Sequence, residues 1–311
     1  MTDIAATSRE RRLAYIAWIT ICIVWGTTYL AIRVALESLP VALLAGLRWM
    51  VASLILLAAL RIMGQALPAS RTWGSISIAA FLMIVLGNGG VVWAEQYVAS
   101  GLTAVIVAMV PFWNVLVEAL LKVGDRPDRR TLTGLGIGFA GIVVLVWPEL
   151  FTAQHDGLRF VAGVLALQMS CVGWAVGTAY TKKNTVSASP LATSAMQMLA
   201  AGVMFMGLGT VTGEWSRLTF TARSLSAVIY LALAGSVVAY SAYVYALKYL
   251  PISTVSLYSY VNPLIAVVLG SLLLSEPFSA RTLVASALVF AGIALVGSPS
   301  GRRTTRRDVA A

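Results

Sequence analysis

The sequence predicts an all-α integral membrane protein in which ten transmembrane helices form two inverted five-helix repeats around a central cavity. Three observations carry this prediction: an apolar composition, ten apolar runs of membrane-spanning length, and a segment that occurs twice. The chain is 59% hydrophobic and 11% charged, whereas a soluble domain carries about 25% charged residues. So few charged side chains cannot cover 311 residues with a solvated surface.

The apolar runs have the length of membrane-spanning helices, which need about 20 mainly apolar residues. The first run is too long for the core of a signal peptide and no small-residue cleavage site follows it, so we interpret it as a retained span. The predicted spans are 13–36, 40–62, 73–96, 101–121, 130–147, 158–181, 188–211, 223–248, 252–275 and 279–297.

The net charge of +10 follows from the predicted topology. With the N-terminus in the cytoplasm, sixteen Lys and Arg residues fall on the cytoplasmic side and five fall outside or at the outer rim, while Arg48 lies within a span. This asymmetry is the positive-inside rule, so the charge does not indicate nucleic-acid binding. Both termini are predicted to be cytoplasmic.

Residues 130–148 and 281–299 share one sequence frame at an offset of 151 residues. Five spans per copy is an odd number, so the second copy enters the membrane from the opposite side; Arg130 then begins its helix inside and Arg281 outside. Within the first copy of the frame, Gly134 and Gly138 have the small-xxx-small spacing of a close helix contact. The predicted organisation is a basic cytoplasmic tail at 1–12, repeats at 13–150 and 151–297, and a second basic cytoplasmic tail at 298–311.

Inverted repeats are typical of secondary transporters, in which two similar halves exchange conformations and open alternately to each side. Two alternatives remain open. A passive channel needs a continuous polar stripe, and a membrane enzyme needs clustered acids, histidines or a nucleophile with its base. The chain has one histidine, His155, two cysteines predicted to be buried, Cys22 and Cys171, and no Walker P-loop. We therefore predict a protein that is not an enzyme, without metal, cofactor or ATP motor.

Several segments resemble a known family. Residues 239–279, AYSAYVYALKYLPISTVSLYSYVNPLIAVVLGSLLLSEPFS, resemble the most recognisable segment of the EamA type within the drug/metabolite transporter superfamily. WGTTYLAIRVAL at 25–36 and LAGLRWMVASLILL at 44–57 are also similar to it. One departure is GDRP at 124–127, where the second half has SEP at 275–277.

The resemblance implies ten helices, cytoplasmic ends and export of amino acids or related metabolites. It is closest to bacterial amino-acid exporters of the YddG type, which implies the bacterial inner membrane. We predict a secondary transporter for neutral and aromatic amino acids such as Thr, Met, Phe and Trp, functional as a monomer, with the lipid bilayer as its other partner. The alternatives are other small metabolites, cationic drugs or a passive channel.

Breaks in the helices are expected near the bilayer midplane, at corresponding positions of the two halves. Pro111 in span 4 and Pro263 in span 9 each lack an N–H donor and free a carbonyl group. Gly87 and Gly89 loosen the interior of span 3, since glycine disfavours helix, and the corresponding segment of span 8 is 239–242. These positions are the predicted hinges.

Polar and aromatic side chains cluster at the same depth. Buried polar groups need partners in each other, in water or in a substrate, although many simply join helices. Such a cavity suits a zwitterion whose ammonium group is attracted to aromatic rings, and span 1 contributes Trp25, Thr28 and Tyr29 to it. The predicted substrate-binding residues are Trp113, Trp174, Asn88, Gln168, Tyr240, Tyr258 and Asn262.

Charged residues within spans are functional candidates. Arg48, about eight residues inside span 2, either attracts a substrate carboxylate or has a structural role, capping helix carbonyls or extending outward to water. Glu95, near the outer end of span 3, is expected to contact water. No acid is then evident at the midplane. We therefore expect either facilitated export down a concentration gradient or export whose coupling depends on a group that the sequence does not identify.

Overall fold

The computed structural model of the protein describes residues 7–121, 129–151, 155–184, 186–275 and 279–297. Within these ranges all regular secondary structure is helical, which confirms the predicted all-α class. The predicted tail at 298–311, the first six residues of the tail at 1–12 and the GDRP corner at 124–127 lie outside the described residues.

The helices follow the predicted apolar runs to within a few residues. Seven of them, α1 to α4 and α6 to α8, are long and apolar enough to cross a membrane, and the other three contain shorter apolar stretches of 10–17 residues. A ten-span topology therefore stays a prediction. The helices are α1 (Ser8–Ala35), α2 (Val41–Ile62), α3 (Ser70–Ala94), α4 (Ser100–Leu120), α5 (Arg129–Phe151), α6 (His155–Lys183), α7 (Pro190–Val211), α8 (Ala222–Tyr249), α9 (Tyr258–Leu274) and α10 (Ala280–Gly297).

Contacts between the helices follow a pattern that recurs in the two halves. Helix α2 packs along α7, and α5 packs along α10. Helix α1 packs against α8 and α9, and α6 correspondingly packs against α3 and α4. In these contacts α1 and α2 have the neighbours that their counterparts α6 and α7 have, with the halves exchanged.

The pair α5 and α10 is held by a close glycine contact. A Cβ atom added at Gly292 would lie 2.5 Å from the carbonyl oxygen of Gly134 and 2.6 Å from the backbone nitrogen of Gly138. Only hydrogen fits there, so the helix backbones touch. The prediction of a close helix contact at Gly134 and Gly138 is confirmed, and its partner is the second copy of the same segment.

Side-chain contacts define two ends of the bundle. At the first end, where α1 begins, Lys182 donates to the carbonyl oxygen of Leu250 at 3.2 Å. At the second end, where α1 ends, an ion pair of 3.2 Å joins Arg223 to Glu37. Since Lys182 is near the last residue of α6, α6 ends where its counterpart α1 begins.

Both α3 and α8 contain a stretch of π-helix. The stretches are Phe81–Asn88 and Leu231–Val238, which are related by an offset of 150 residues. In α8 the π-helical stretch therefore ends just before residues 239–242, the segment predicted to correspond to the glycine hinge of span 3. In α3 the π-helical stretch includes the predicted hinge Gly87 and ends one residue before the other, Gly89. A π-helical turn weakens the regular hydrogen-bond ladder and is frequent at functional sites.

The two prolines predicted as hinges lie in different settings. Helix α4 is interrupted at residues 108–109, and Pro111 stands in the first turn of the piece Val110–Leu120, where its missing N–H is not needed. Pro263 lies inside α9, and the chain instead breaks before that helix, at residues 256–257. The matched prolines thus sit beside, rather than at, the interruptions.

Candidate functional site

A central cavity lies among α1, α2, α3, α4, α6, α8 and α9. Five of the seven predicted substrate-binding residues line it, together with the predicted hinge Gly87 and the intramembrane Arg48. Those five residues come from four helices: Asn88 from α3, Trp174 from α6, Tyr240 from α8, and Tyr258 and Asn262 from α9.

The other two predicted residues do not line this cavity. The indole nitrogen of Trp113 on α4 donates to Oε1 of Gln168 on α6 at 3.0 Å. Neither residue lines the cavity, whereas Ser170 of the same helix α6 does. Trp49, which follows Arg48, also lines the cavity and was not predicted; its position next to an intramembrane arginine was the available signal.

Aromatic rings surround one part of the cavity. The ring centroid of Trp25 lies 5.5 Å from that of Trp174, 5.3 Å from that of Tyr243 and 5.0 Å from that of Tyr258. The indole nitrogen of Trp174 donates to the Tyr243 hydroxyl at 3.1 Å, and that hydroxyl lies 2.9 Å from Oγ1 of Thr178. We call Trp25, Trp174, Tyr243 and Tyr258 the aromatic cluster. Its rings are fixed by each other and can attract a cation.

The π-helical stretches supply hydrogen-bond acceptors to this region. In α8 the Gly235 carbonyl accepts a hydrogen bond from the indole nitrogen of Trp25 at 3.1 Å. In α3 the Gly87 carbonyl accepts a hydrogen bond from the Ser170 hydroxyl. A carbonyl released from the regular ladder is free to bind a side chain, so the two irregular stretches fix side chains on α1 and α6, the first helix of each half.

Arg48 is buried in the wall of the cavity, with 2% of its surface exposed. Its Nε donates to the Ser236 hydroxyl at 2.8 Å, and Nη1 reaches Oδ1 of Asn88 at the long distance of 3.4 Å. The guanidinium carbon lies 4.6 Å from the centroid of the Trp49 ring. Of the two structural roles considered for Arg48, extension to water is excluded by this burial.

Glu95, directly after α3, is fully buried, with 0% of its surface exposed. The expectation that it contacts water is wrong, because α1 covers this end of α3: the Arg33 guanidinium donates to the Glu95 carbonyl oxygen. The Glu95 carboxylate is also close enough to Tyr29 and Arg48 to interact with them electrostatically. A carboxylate is therefore held inside the bundle near the cavity.

Asn262 connects α9 to α1. With its amide oriented by the surrounding hydrogen-bond network, its nitrogen donates to the Cys22 carbonyl oxygen at 2.8 Å and to the Tyr258 carbonyl oxygen at 3.1 Å. Cys22 and Cys171 are both buried free thiols, as predicted. Asn262 thus combines a place in the cavity wall with a helix-joining role.

Two further cavities lie toward the ends of the bundle. The one at the first end is lined by parts of α3, α6, α7 and α8, including Gln197. The Tyr240 hydroxyl donates to Oε1 of Gln197 at 3.0 Å. Tyr240 lines the central cavity and Gln197 lines the first-end cavity, so the hydrogen bond between them lies between these two cavities.

The cavity at the second end is lined by residues at the C-terminal ends of α1 and α9 and by residues that follow α3. The first-end cavity is lined in part by the last residues of α6 and α8, the counterparts of α1 and α3.

Apolar helices of membrane-spanning length that enclose a cavity with polar, charged and aromatic walls are the features expected of an integral membrane transport protein. The chain matches the EamA-like transporter family over residues 12–147 and over residues 161–298. The chain belongs to this family, and the EamA resemblance identified from the sequence is confirmed, while the likeness to exporters of the YddG type stays a prediction.

Similar proteins carry transporter names. The uncharacterized inner membrane transporter YedA of Escherichia coli K12 is 34% identical over 275 residues, covering 88% of this chain and 87% of that protein. The uncharacterized transporter YvbV of Bacillus subtilis is 28% identical over 287 residues, covering 89% of each. A protein crystal structure matches with a TM-score of 0.65 and 20% identity over 94% of this chain and 98% of that chain, which shows a shared fold.

Proposed function

We propose that this protein is a secondary transporter that exports neutral and aromatic amino acids across the bacterial inner membrane by alternating access. The observation that carries the proposal is the central cavity, which combines one buried arginine with an aromatic cluster. A free amino acid presents a carboxylate, which the arginine can bind, and an ammonium group, which the aromatic rings can attract. The proposed topology has ten spans, cytoplasmic termini and a functional monomer.

Alternating access is supported by the pairing of the halves. The helix contacts recur with the halves exchanged, α6 ends where α1 begins, and the two end cavities are lined in part by the ends of counterpart helices. These relations are expected for inverted repeats at 13–150 and 151–297. In the proposed cycle, each end cavity in turn joins the central cavity, and separation of Tyr240 from Gln197 opens the first end.

The predicted residues receive distinct roles in this proposal. Trp174 and Tyr258 stack on the substrate side chain, and Asn88, Tyr240 and Asn262 bind its polar groups. Trp113 and Gln168 support the wall of the site through their mutual hydrogen bond. Gly87, Gly89, Pro111 and Pro263 provide the flexible positions in α3, α4 and α9.

Transport of amino acids is tested with the purified protein in proteoliposomes. We expect saturable counterflow of labelled Thr, Met, Phe or Trp when the same unlabelled amino acid is loaded inside, because a carrier reorients with substrate bound. A parallel series with an imposed pH gradient tests coupling, and protein-free liposomes are the control. Flux without saturation or counterflow would establish a channel, and absence of flux for every amino acid would overturn the amino-acid proposal. A panel that includes a lipophilic organic cation tests the alternative of cationic drugs.

The proposed topology predicts opposite accessibility for Arg130 and Arg281. Single-cysteine variants Arg130→Cys and Arg281→Cys, in a background with Cys22 and Cys171 replaced by Ala, are expected to label from the cytoplasmic and the external side, respectively. Both native thiols are free and buried, and alanine retains an apolar side chain at each position with the loss of one sulfur atom. Labelling is measured in intact cells with a membrane-impermeant maleimide before and after permeabilisation. Equal accessibility at the two positions would refute the inverted repeat.

A further inference from the structure

We propose that Arg48 is the anion-binding group of the central cavity and that the cavity selects substrates that carry a carboxylate. This inference deepens the proposed transport function and rests on it, since it assigns the substrate class of the same site. The sequence left the role of Arg48 open between carboxylate binding and helix capping. The hydrogen-bond inventory of its side chain favours carboxylate binding.

The guanidinium group has more donors than partners. Arginine carries five N–H donors, and the structure pairs Nε with Ser236 at 2.8 Å and brings Nη1 only to 3.4 Å from Asn88. Among the residues that the structure describes, no carboxylate comes within the 4.0 Å of an ion pair with Arg48. The bonds to Ser236 and Asn88 orient the side chain toward the cavity and leave most of its donors for a ligand.

A buried cation without a close counter-ion is unfavourable. Removing an ion from water carries a penalty of several kcal/mol, which only a close partner with good geometry offsets. Glu95 interacts with Arg48 electrostatically, but among the described residues the hydrogen-bond partners of the Arg48 guanidinium are Ser236 and Asn88. A substrate carboxylate in the cavity would supply the missing partner, because the planar fork of arginine matches both carboxylate oxygens.

The cavity wall favours a carboxylate over a phosphate. Among the described residues that line the central cavity, Arg48 is the one cationic side chain and none is acidic. A single positive charge neutralises one carboxylate, whereas a phosphate dianion would remain undercompensated in this apolar wall. The guanidinium also lies over the Trp49 ring, at 4.6 Å from its centroid, which fixes its plane.

Arg48 and the aromatic cluster meet at Gly235. A Cβ atom at Gly235 would lie 3.1 Å from Nη2 of Arg48, and the Gly235 carbonyl accepts the hydrogen bond from Trp25. The anion-binding group and the rings that can attract a cation therefore adjoin the same residue. A zwitterion placed there would direct its carboxylate to Arg48 and its ammonium group to the aromatic cluster.

The test compares acids with the corresponding amides, in which an uncharged carboxamide replaces the carboxylate. Binding to the purified protein in detergent is measured by calorimetry for two pairs, phenylalanine with phenylalaninamide and 3-phenylpropionate with 3-phenylpropionamide. We expect the wild type to bind an acid at least about tenfold more tightly than its amide, the size expected for charge-assisted hydrogen bonds. In Arg48→Gln this preference is expected to fall to about unity, and the matched control Arg223→Gln, which removes an exposed arginine, should retain it.

Each outcome has a defined meaning. Equal binding of acid and amide by the wild type, or an unchanged preference in folded Arg48→Gln, would show a helix-joining role only. If Arg48→Gln does not fold, Arg48→Lys, which retains the charge without the planar fork, is expected to keep only part of the preference, and full retention would overturn bidentate binding.

The same panel separates this inference from the proposed function. Binding of 3-phenylpropionate without binding or counterflow of any amino acid would refute amino-acid export and keep the carboxylate site. Counterflow of amino acids by a protein that binds acid and amide equally would support amino-acid export and refute the carboxylate site. Failure of every acid to bind would overturn the carboxylate site.

Discussion

Replacing Trp174 with alanine is expected to reduce amino-acid counterflow by about 100-fold, because it removes a ring that lines the cavity and packs against two others of the aromatic cluster. The Trp174 ring lies 5.5 Å from Trp25 and 5.2 Å from Tyr243, and its indole nitrogen donates to the Tyr243 hydroxyl. Each aromatic pair contributes about 0.5–1.5 kcal/mol. Loss of stacking on the substrate and misplacement of two neighbouring rings add to about 3 kcal/mol, or roughly two decades in affinity.

Trp174→Phe separates the ring from its hydrogen bond. It retains an aromatic wall but leaves Tyr243 with Thr178 as its remaining hydroxyl partner, so we expect a loss of about tenfold. The matched control is Trp215→Ala, which deletes an exposed tryptophan that does not line the cavity. Half-saturating concentration and maximal rate are measured in proteoliposomes. An equal loss in Trp215→Ala and Trp174→Ala, or unchanged kinetics in Trp174→Ala, would place the substrate elsewhere.

Replacing Gly292 with valine is expected to destabilise the protein by about 3 kcal/mol or more, at the upper end of the overpacking range. The added Cβ would meet the Gly134 carbonyl oxygen at 2.5 Å and the Gly138 nitrogen at 2.6 Å. Both atoms belong to a helix backbone, which cannot move aside as a flexible side chain can. Helices α5 and α10 would have to separate, and with them the contact that joins the two copies of the repeated segment.

Gly136→Val is the matched control for this substitution. Gly136 lies on α5 between the two glycines of the contact, and a Cβ atom there would meet nothing within 4 Å. We expect Gly136→Val to change stability by less than about 1 kcal/mol. Thermal unfolding in detergent and the monodisperse yield after size exclusion measure both variants. Similar stability of Gly292→Val and Gly136→Val would show that the helices do not depend on this contact.

The helices were predictable because the signal for a membrane span is local. A run of about 20 apolar residues crosses the hydrocarbon whatever its neighbours are, and the predicted run 40–62 became the helix Val41–Ile62. Glycine spacing likewise indicated the contact at Gly134 and Gly138. The sequence did not indicate which helix makes this contact, and the structure shows that it is the second copy of the same segment, at Gly292.

The cavity was only partly predictable. Asn88, Trp174, Tyr240, Tyr258 and Asn262 were chosen for polarity and depth, and all five line it. Trp113 was chosen on the same grounds but pairs with Gln168 instead. Polarity and depth do not reveal which face of a helix a residue occupies, and one residue of error in register rotates that face by about 100°.

Glu95 shows the same limitation for a charge. An acid at a predicted span end resembles a residue in contact with water, because the sequence gives depth along a helix but not lateral cover. Here α1 lies over the end of α3, and the Arg33 side chain binds the Glu95 backbone. The carboxylate is therefore buried.

By itself, the sequence determined that this chain is an apolar, all-helical membrane protein of the transporter kind, since composition, span length and family motifs are all properties of short segments. The tertiary structure alone decided which polar groups meet. The hydrogen bond between Arg48 and Ser236 joins residues 188 positions apart, and that between Trp25 and Gly235 joins residues 210 positions apart. A buried polar group must find its partner among the helices that pack beside it, and only packing fixes which helices and which faces those are.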